Sequence, residues 1–289
     1  VGNLAVGGTG KSPVAAWIAG RLRGAGIPTA VLTGSHGRDE ASLHERWNPR
    51  VPVHVGRDRT VAAARARSAG ARIAVLDDGF QHFGLARDLD VVLLSADDPF
   101  PGHVLPRGPY REPASALARA DVIVVTRRRA TEGAARAVAA SASARAPRAA
   151  TAGAALTPLG LRSLASWVAG GRGGGCEDGA VPTGRSVLAV CAVARSAAFR
   201  ESVADVTGGA VELLAFADHH AFGADDVARI RARAAGREVV ITEKDAVKLA
   251  RHGVDAQATL VLEEELRWSW GADVLGARLD ALAEQGVRP

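Results

Sequence analysis

The stretch that most restricts how this chain folds is its opening, "VGNLAVGGTGKSP", residues 1–13. An apolar run leads into glycines, then a lysine and a serine, then a proline suited to a first helical turn. Strand, glycine turn and helix in succession form the P-loop arrangement. Its small residues let backbone N–H groups face phosphates, and the helix N-terminus adds positive potential. In this reading Gly7, Gly8, Thr9 and Gly10 form the cradle, Lys11 reaches the β- and γ-phosphates, and the Ser12 hydroxyl binds Mg2+. The strict G-x-x-x-x-G-K pattern wants a glycine at position 5, where this chain has Ala5. The plainer alternative is a glycine turn that merely caps a helix.

Further strand-like runs follow, separated by helical segments: "TAVLT", "RIAVLDD", "DVVLLS" and "DVIVVT". Such alternation predicts crossover units on a parallel sheet. Each run is almost wholly apolar, as strands covered on both faces are. Beyond Arg129 the chain turns alanine-rich, and "AGGRGGGCEDGAVPTG" (169–184) reads as a flexible connection. A second alternating series follows, with "RSVLAVCAV", "AVELLAF" and "REVVIT" as strands and helices near 196–207 and 224–235. The expected fold is therefore α/β, a P-loop NTPase-type parallel sheet with a second, smaller α/β lobe. The expected division is 1–150 for the P-loop domain, 151–184 for the connection and 185–289 for the smaller lobe.

A P-loop needs a second, acidic element, and "IAVLDDGFQH" supplies one. Its apolar run ends in Asp77 and Asp78, which places carboxylates at the carboxyl edge of a buried parallel strand, where ligands bind. One of the two, taken as Asp77, joins Ser12 in holding Mg2+ while the other orients the site; which lies nearer the metal stays open. Gln81 and His82 add polar groups just beyond. Taken alone, the same residues are an Asp-Asp-Gly turn. The two motifs together indicate nucleoside-triphosphate chemistry without choosing between a kinase, a switch and a ligase.

Composition narrows the classes. With hydrophobic residues at 47% and aromatics at 4%, the interior must be built from Ala, Val and Leu. No apolar run approaches the roughly 18 residues that span a bilayer, so the sequence reads as a soluble chain without a signal peptide. The 36 basic residues exceed the 31 acidic ones only slightly, and no dense basic block with interleaved aromatics appears, so no nucleic acid is expected as a partner. Lys11, Lys244 and Lys248 are the only lysines, which marks them as positions that want a compact ammonium. Cys176 and Cys191 have no metal-type spacing. The chain contains no methionine, not even at position 1, so it is expected to be trimmed or to begin at a non-standard start, with an N-terminal segment missing.

The blocks "VGNLAVGGTGKSP", "DDGFQHFGLARDLDVVL", "LPRGPYREP", "DHHAF" and "TEKDAVKL", in that order, resemble the tetraacyldisaccharide 4′-kinases of lipid A synthesis. The similarity runs from residue 1 to about 250 and is densest in 1–13 and 75–113. The resemblance implies ATP- and Mg2+-dependent phosphorylation of the 4′-hydroxyl of an acylated glucosamine disaccharide 1-phosphate. The implied place is the cytoplasmic face of the bacterial inner membrane, with peripheral attachment. It also implies an apolar, membrane-associating helix ahead of the P-loop.

The family's P-loop matches Gly7 to Ser12, and its acidic pair with neighbours matches Asp77, Asp78, Gln81 and His82. Its Gly-Asp-Glu element, whose aspartate is the base near the acceptor hydroxyl, matches "RDE" and hence Asp39. Its Asp-His-His element falls on Asp218, His219 and His220, with His219 the partner of that base. Its Arg-Glu after a Gly-Pro turn falls on Arg111 and Glu112.

Each match has a structural alternative. Asp39 opens the helix-like "DEASLHER" and reads equally as an N-cap. The histidine pair is also a strand end, Arg111-Glu112-Pro113 also a helix entrance, and "TEKD" also a Thr-x-x-Asp capping box. Two rival functions stay open: a P-loop GTPase of the metallochaperone or switch type, and a nucleotide-binding family member that does not catalyse.

Overall fold

A computed structural model of the chain describes residues 1–34, 38–170 and 184–285. The chain divides into two compact units, Val1–Thr157 with Glu265–Pro289, and Pro158–Glu264.

The first unit opens with β1 (Gly2–Asn3), α1 (Lys11–Gly24), β2 (Thr29–Thr33), α2 (Asp39–Trp47), β3 (Val53–Val55), α3 (Arg59–Ser68) and β4 (Ile73–Leu76). It continues through β5 (Val91–Ser95), a 3-10 turn (Ala114–Arg119), β6 (Val122–Arg127), α4 (Glu132–Ser143) and the start of β7 (Ala150–Ser163). Strands β1, β5, β6 and β7 lie side by side in that order, every pair parallel. A separate set, β3-β2-β4, is parallel as well.

The all-apolar strand sequences follow from burial on both faces. Side chains alternate along a strand, so Val91 and Leu93 of β5 and Val122 and Val124 of β6 pack with Val14, Ile18 and Leu22 of α1. Their neighbours Val92, Leu94, Ile123 and Val125 join a second core with Leu117 and the alanines of α4. Where large aromatics are scarce, alanine-lined helices sit close on valine-rich strands.

The second unit contains α5 (Leu164–Ala169), β8 (Val187–Cys191), α6 (Ser196–Thr207), β9 (Val211–Ala215), α7 (Ala224–Ala234), β10 (Val239–Thr242), α8 (Glu243–Leu249) and the start of β11 (Thr259–Trp270). Its strands run β11-β10-β8-β9, again all parallel. The helices expected near 196–207 and 224–235 are α6 and α7. Cys191 is buried in this unit's core. Burial, with Asp245 nearby, pushes its thiol up to about 12, so it stays protonated.

Two segments differ from the sequence-based layout. Most of the expected connection at 151–170 is strand β7 and helix α5, because its alternating small and apolar residues pair with β6; positions 171–183 of it lie outside the described residues. The end of the chain, β11 followed by α9 (Ala272–Gln285), returns to the first unit. There Leu275 and Leu279 are buried against the α1 core and Trp268 meets Trp17 edge-on at 4.8 Å. Among the described residues no helix is long and apolar enough to cross a membrane.

Candidate active site

The glycine loop folds as its residues require. Gly7 and Gly10 have φ of 112° and 84°, a region closed to residues with a Cβ except at a cost. Gly10 occupies the cap position of α1, with no side chain to cap the helix. A Cβ at Gly8 would meet nothing within 4 Å, so the backbone there faces open space. The loop is tied down from beneath. The Thr126 hydroxyl, at the carboxyl end of β6, lies 2.7 Å from the Thr9 carbonyl, and the Asn3 amide donates to Thr9 Oγ1 at 2.9 Å. Lys11 Nζ donates to Asn3 Oδ1 at 3.2 Å and stands 3.5 Å from Asp78. The glycine loop, the Lys11 ammonium and the start of α1 thus follow one another directly, the elements that phosphate binding uses.

The two aspartates after β4 take different surroundings. Asp77 is 2% exposed, and its Oδ2 accepts a 2.8 Å hydrogen bond from His44 Nε2. Burial pushes its carboxyl up; the hydrogen bond and charge of His44, the Ser12 hydroxyl and Lys11 outweigh this and hold it at about 2. Its Oδ1 is buried without a hydrogen-bond partner. A buried anionic oxygen beside Lys-Ser at a helix start is the donor set a hard divalent cation takes, so the residues fit Mg2+. Asp78 sits in the left-handed region at φ 56° and is about one-third exposed.

A charged chain extends from Asp78. Arg111 Nη1 donates to both of its carboxylate oxygens at 3.1 Å and reaches Gln81 Oε1 at 3.3 Å. Gln81 Nε2 donates to the Asn3 carbonyl at 2.9 Å and to Glu112 at 2.8 Å. Glu112 accepts a paired contact from Arg119 at 2.8 and 2.9 Å, and that guanidinium, with Gln81, outweighs partial burial and holds its carboxyl below the ordinary range. The Arg119 guanidinium also lies over the Phe80 ring at 4.3 Å. Gly2 makes this crowding possible, since a Cβ there would come within 2.7 Å of the Phe80 backbone nitrogen.

The structure therefore gathers Lys11, Asp78, Arg111, Gln81 and Glu112 into one network, with Asp77 held by His44 beside it. His82 does not join: its Nε2 is buried without a hydrogen-bond partner. Asp39 is 4% exposed and is the first residue of α2; Arg38 holds the cap position, without a side-chain cap bond. The N-cap alternative for Asp39 is thus not what forms. Pro113 does precede the 3-10 turn, so the helix-entrance reading of that segment and its ionic contacts both hold.

The other predicted residues belong to the second unit. His219, in the left-handed region at φ 60°, has Nε2 3.3 Å from Lys244 Nζ. His220 pairs with Asp226 at 2.9 Å. Thr242 caps α8 by accepting from the Asp245 N–H at 3.1 Å, and buried Asp245 also accepts from the Ala192 N–H. "TEKD" is thus a helix cap.

Sequence reasoning missed His44, Asn3 and Arg59. Asn3 is fully buried in an apolar strand, a position where an amide needs partners, and that mismatch was its signal. Arg59 is 8% exposed; burial lowers its pKa against the opposing pull of Asp77, Asp78 and Glu40, so it adds positive potential behind the acidic pair. His44 had no signal, since one histidine on an amphipathic helix reads as filler.

Residues 36–284 match the family model for tetraacyldisaccharide-1-P 4′-kinase. The chain belongs to the tetraacyldisaccharide 4′-kinase family. Relatives bearing that name include one from Anaeromyxobacter sp. (strain Fw109-5), 37% identical over 99% of this chain and 82% of its own length. Another, from Anaeromyxobacter dehalogenans (strain 2CP-C), is 41% identical over 96% of this chain and 80% of its own. At 99% of the chain, the first of these alignments takes in the glycine loop ahead of residue 36. Hydrogenase maturation factor HypB from Archaeoglobus fulgidus overlaps at a TM-score of 0.35 and 14% identity, over 53% of this chain and 79% of that one, a likeness too low to bear on function. Membership in the 4′-kinase family makes the chain a phosphotransferase acting on a sugar hydroxyl, and the GTPase-switch alternative is set aside.

Proposed function

We propose that the chain moves the γ-phosphoryl group of ATP, in the presence of Mg2+, to the 4′-hydroxyl of a tetraacyl glucosamine disaccharide 1-phosphate. The observation that carries this reading is the convergence of Lys11, Asp78, Arg111, Gln81 and Glu112 beside a glycine loop with an open backbone face. Phosphoryl transfer asks a protein for alignment and charge neutralisation, with little covalent work. The backbone of Gly7, Gly8, Thr9 and Gly10 binds the phosphates, and Lys11 neutralises charge that develops on the transferred group. Arg111, steered by Asp78, adds a second cation; Glu112 and Gln81 hold the Arg111 segment in place. Ser12 and Asp77 are the residues that would hold Mg2+, which would supply charge neutralisation to the phosphates.

Asp39 is the proposed acceptor of the hydroxyl proton, a contribution typically worth about 10²–10⁴-fold, and His219 is proposed as a further catalytic group. Gln81 and His82 are proposed to touch substrate. The substrate's acyl chains place the reaction at a membrane surface, and peripheral attachment at the cytoplasmic face of the inner membrane is proposed on that ground alone. The mild basic excess suits anionic headgroups.

The test is a detergent assay with Mg-ATP and the disaccharide 1-phosphate lipid. Asp39→Asn should bind ATP as the parent does while kcat falls by about 10² or more. A variant with parental kcat would remove Asp39 from the mechanism.

A further inference from the structure

Metal-holding carboxylates are themselves held. A ligand oxygen left to rotate samples many orientations, and hydrogen bonds to the other oxygen remove that freedom. Asp77 has one such bond. His44 Nε2 lies 2.8 Å from Asp77 Oδ2, with side chains 0% and 2% exposed, in a region water does not reach. A carboxylate only accepts, so the histidine N–H donates. The consequence is a fixed carboxylate plane in which Oδ1, buried and without a hydrogen-bond partner, is the oxygen left for a ligand.

The placement of His44 adds a second consequence. It is on α2, whose first residue is Asp39. The backbone N–H of Asp77 donates to the Leu32 carbonyl of β2 at 2.9 Å, so Asp77 is also pinned to the strand that precedes α2. The His44 and Trp47 rings, the latter at the end of the same helix, meet in a T-shape with centroids 5.8 Å apart. One buried hydrogen bond therefore joins the helix that begins with the candidate base to the loop that carries the candidate metal carboxylate.

We infer that His44 is a positioning residue: from the buried face of α2 it holds Asp77 with Oδ1 presented to the metal–nucleotide complex, and it sets the register of Asp39 against that complex. This rests on the kinase reading for the role of Asp39. The part that concerns Asp77 needs only nucleotide and metal.

The experiment uses the full chain with two readouts. Mn2+ binding to the protein–nucleotide complex is followed by electron paramagnetic resonance, and acceptor phosphorylation gives kcat and KM. His44→Phe keeps a planar ring beside Trp47 and removes the donor; His44→Gln restores a donor of similar reach. The expected result is a loss of about 10- to 100-fold in Mn2+ affinity for His44→Phe, a fall in kcat with little change in KM for ATP, and recovery of most of both by His44→Gln. Should His44→Phe not fold, His44→Leu carries the same expectation. Parental Mn2+ affinity in a folded donor-less variant, or a glutamine variant as impaired as the phenylalanine one, overturns the inference. If the parent chain binds Mn2+ and nucleotide yet phosphorylates no acceptor, the kinase reading fails and the Mn2+ series still decides whether His44 positions Asp77.

Discussion

Replacing Asp77 by asparagine tests the electrostatics of the site without reference to turnover. In the folded chain this carboxyl stands at about 2 against an ordinary 3.8. At about 1.4 kcal/mol per unit, that difference is worth roughly 2 kcal/mol of folding stability at neutral pH. Because the folded value is the depressed one, the contribution is complete well above pH 3.8 and is lost as pH falls through about 2. Roughly 1 kcal/mol of it is gone by pH 3. Asparagine keeps the shape and can still accept from His44, so the charge is the main loss. Urea unfolding followed by tryptophan fluorescence is a suitable assay, since Trp17, Trp47, Trp268 and Trp270 all lie in the first unit and Trp47 adjoins His44. The parent should exceed Asp77→Asn by about 2 kcal/mol at pH 7, and the gap should narrow as pH is lowered towards 3. An asparagine variant as stable as the parent at pH 7, or a gap indifferent to pH, would refute the claim that His44, Ser12 and Lys11 outweigh burial.

Other expectations are more local. Arg111→Ala removes the contacts to Asp78 and Gln81; Arg111 and Asp78 are about one-third exposed, so stability should change by less than about 1 kcal/mol, while kcat falls by about 10²-fold or more. Chemical unfolding and steady-state kinetics on the same preparation separate the two. Gly153→Ala should lower the melting temperature by several degrees, since a Cβ there would stand 2.1 Å from the Trp270 ring and overpacking typically costs about 1–3 kcal/mol. A melting temperature within a degree of the parent would mean that the indole relocates freely.

Local signals carried the loop and the strands. Gly10 takes the left-handed region, a lysine and a hydroxyl follow it, and one apolar run ends in Asp77-Asp78; each is a short-range pattern, and the two motifs together narrow the meaning that each alone leaves open. Gln81 was legible beside Asp77-Asp78, whereas Arg111 and Glu112 were reached through resemblance, because Arg111 stands 30 positions from Gln81 and nothing between them says that these side chains meet. His44 stayed hidden for a related reason. Its partner is 33 positions away, and a histidine becomes informative only once burial and a carboxylate are known together. The return of α9 to the first unit depends on contacts of Leu275 and Leu279 with residues near the start of the chain, and an amphipathic helix does not name the core that receives it.

The deciding measurement is incubation of the chain in mild detergent with Mg-ATP and the disaccharide 1-phosphate lipid, beside Lys11→Ala, followed by location of any new phosphate on the product. Phosphate at the 4′-position, formed with ATP in preference to GTP and absent with Lys11→Ala, is the predicted result. ATP bound without transfer, or transfer unaffected by loss of the Lys11 ammonium, would contradict it.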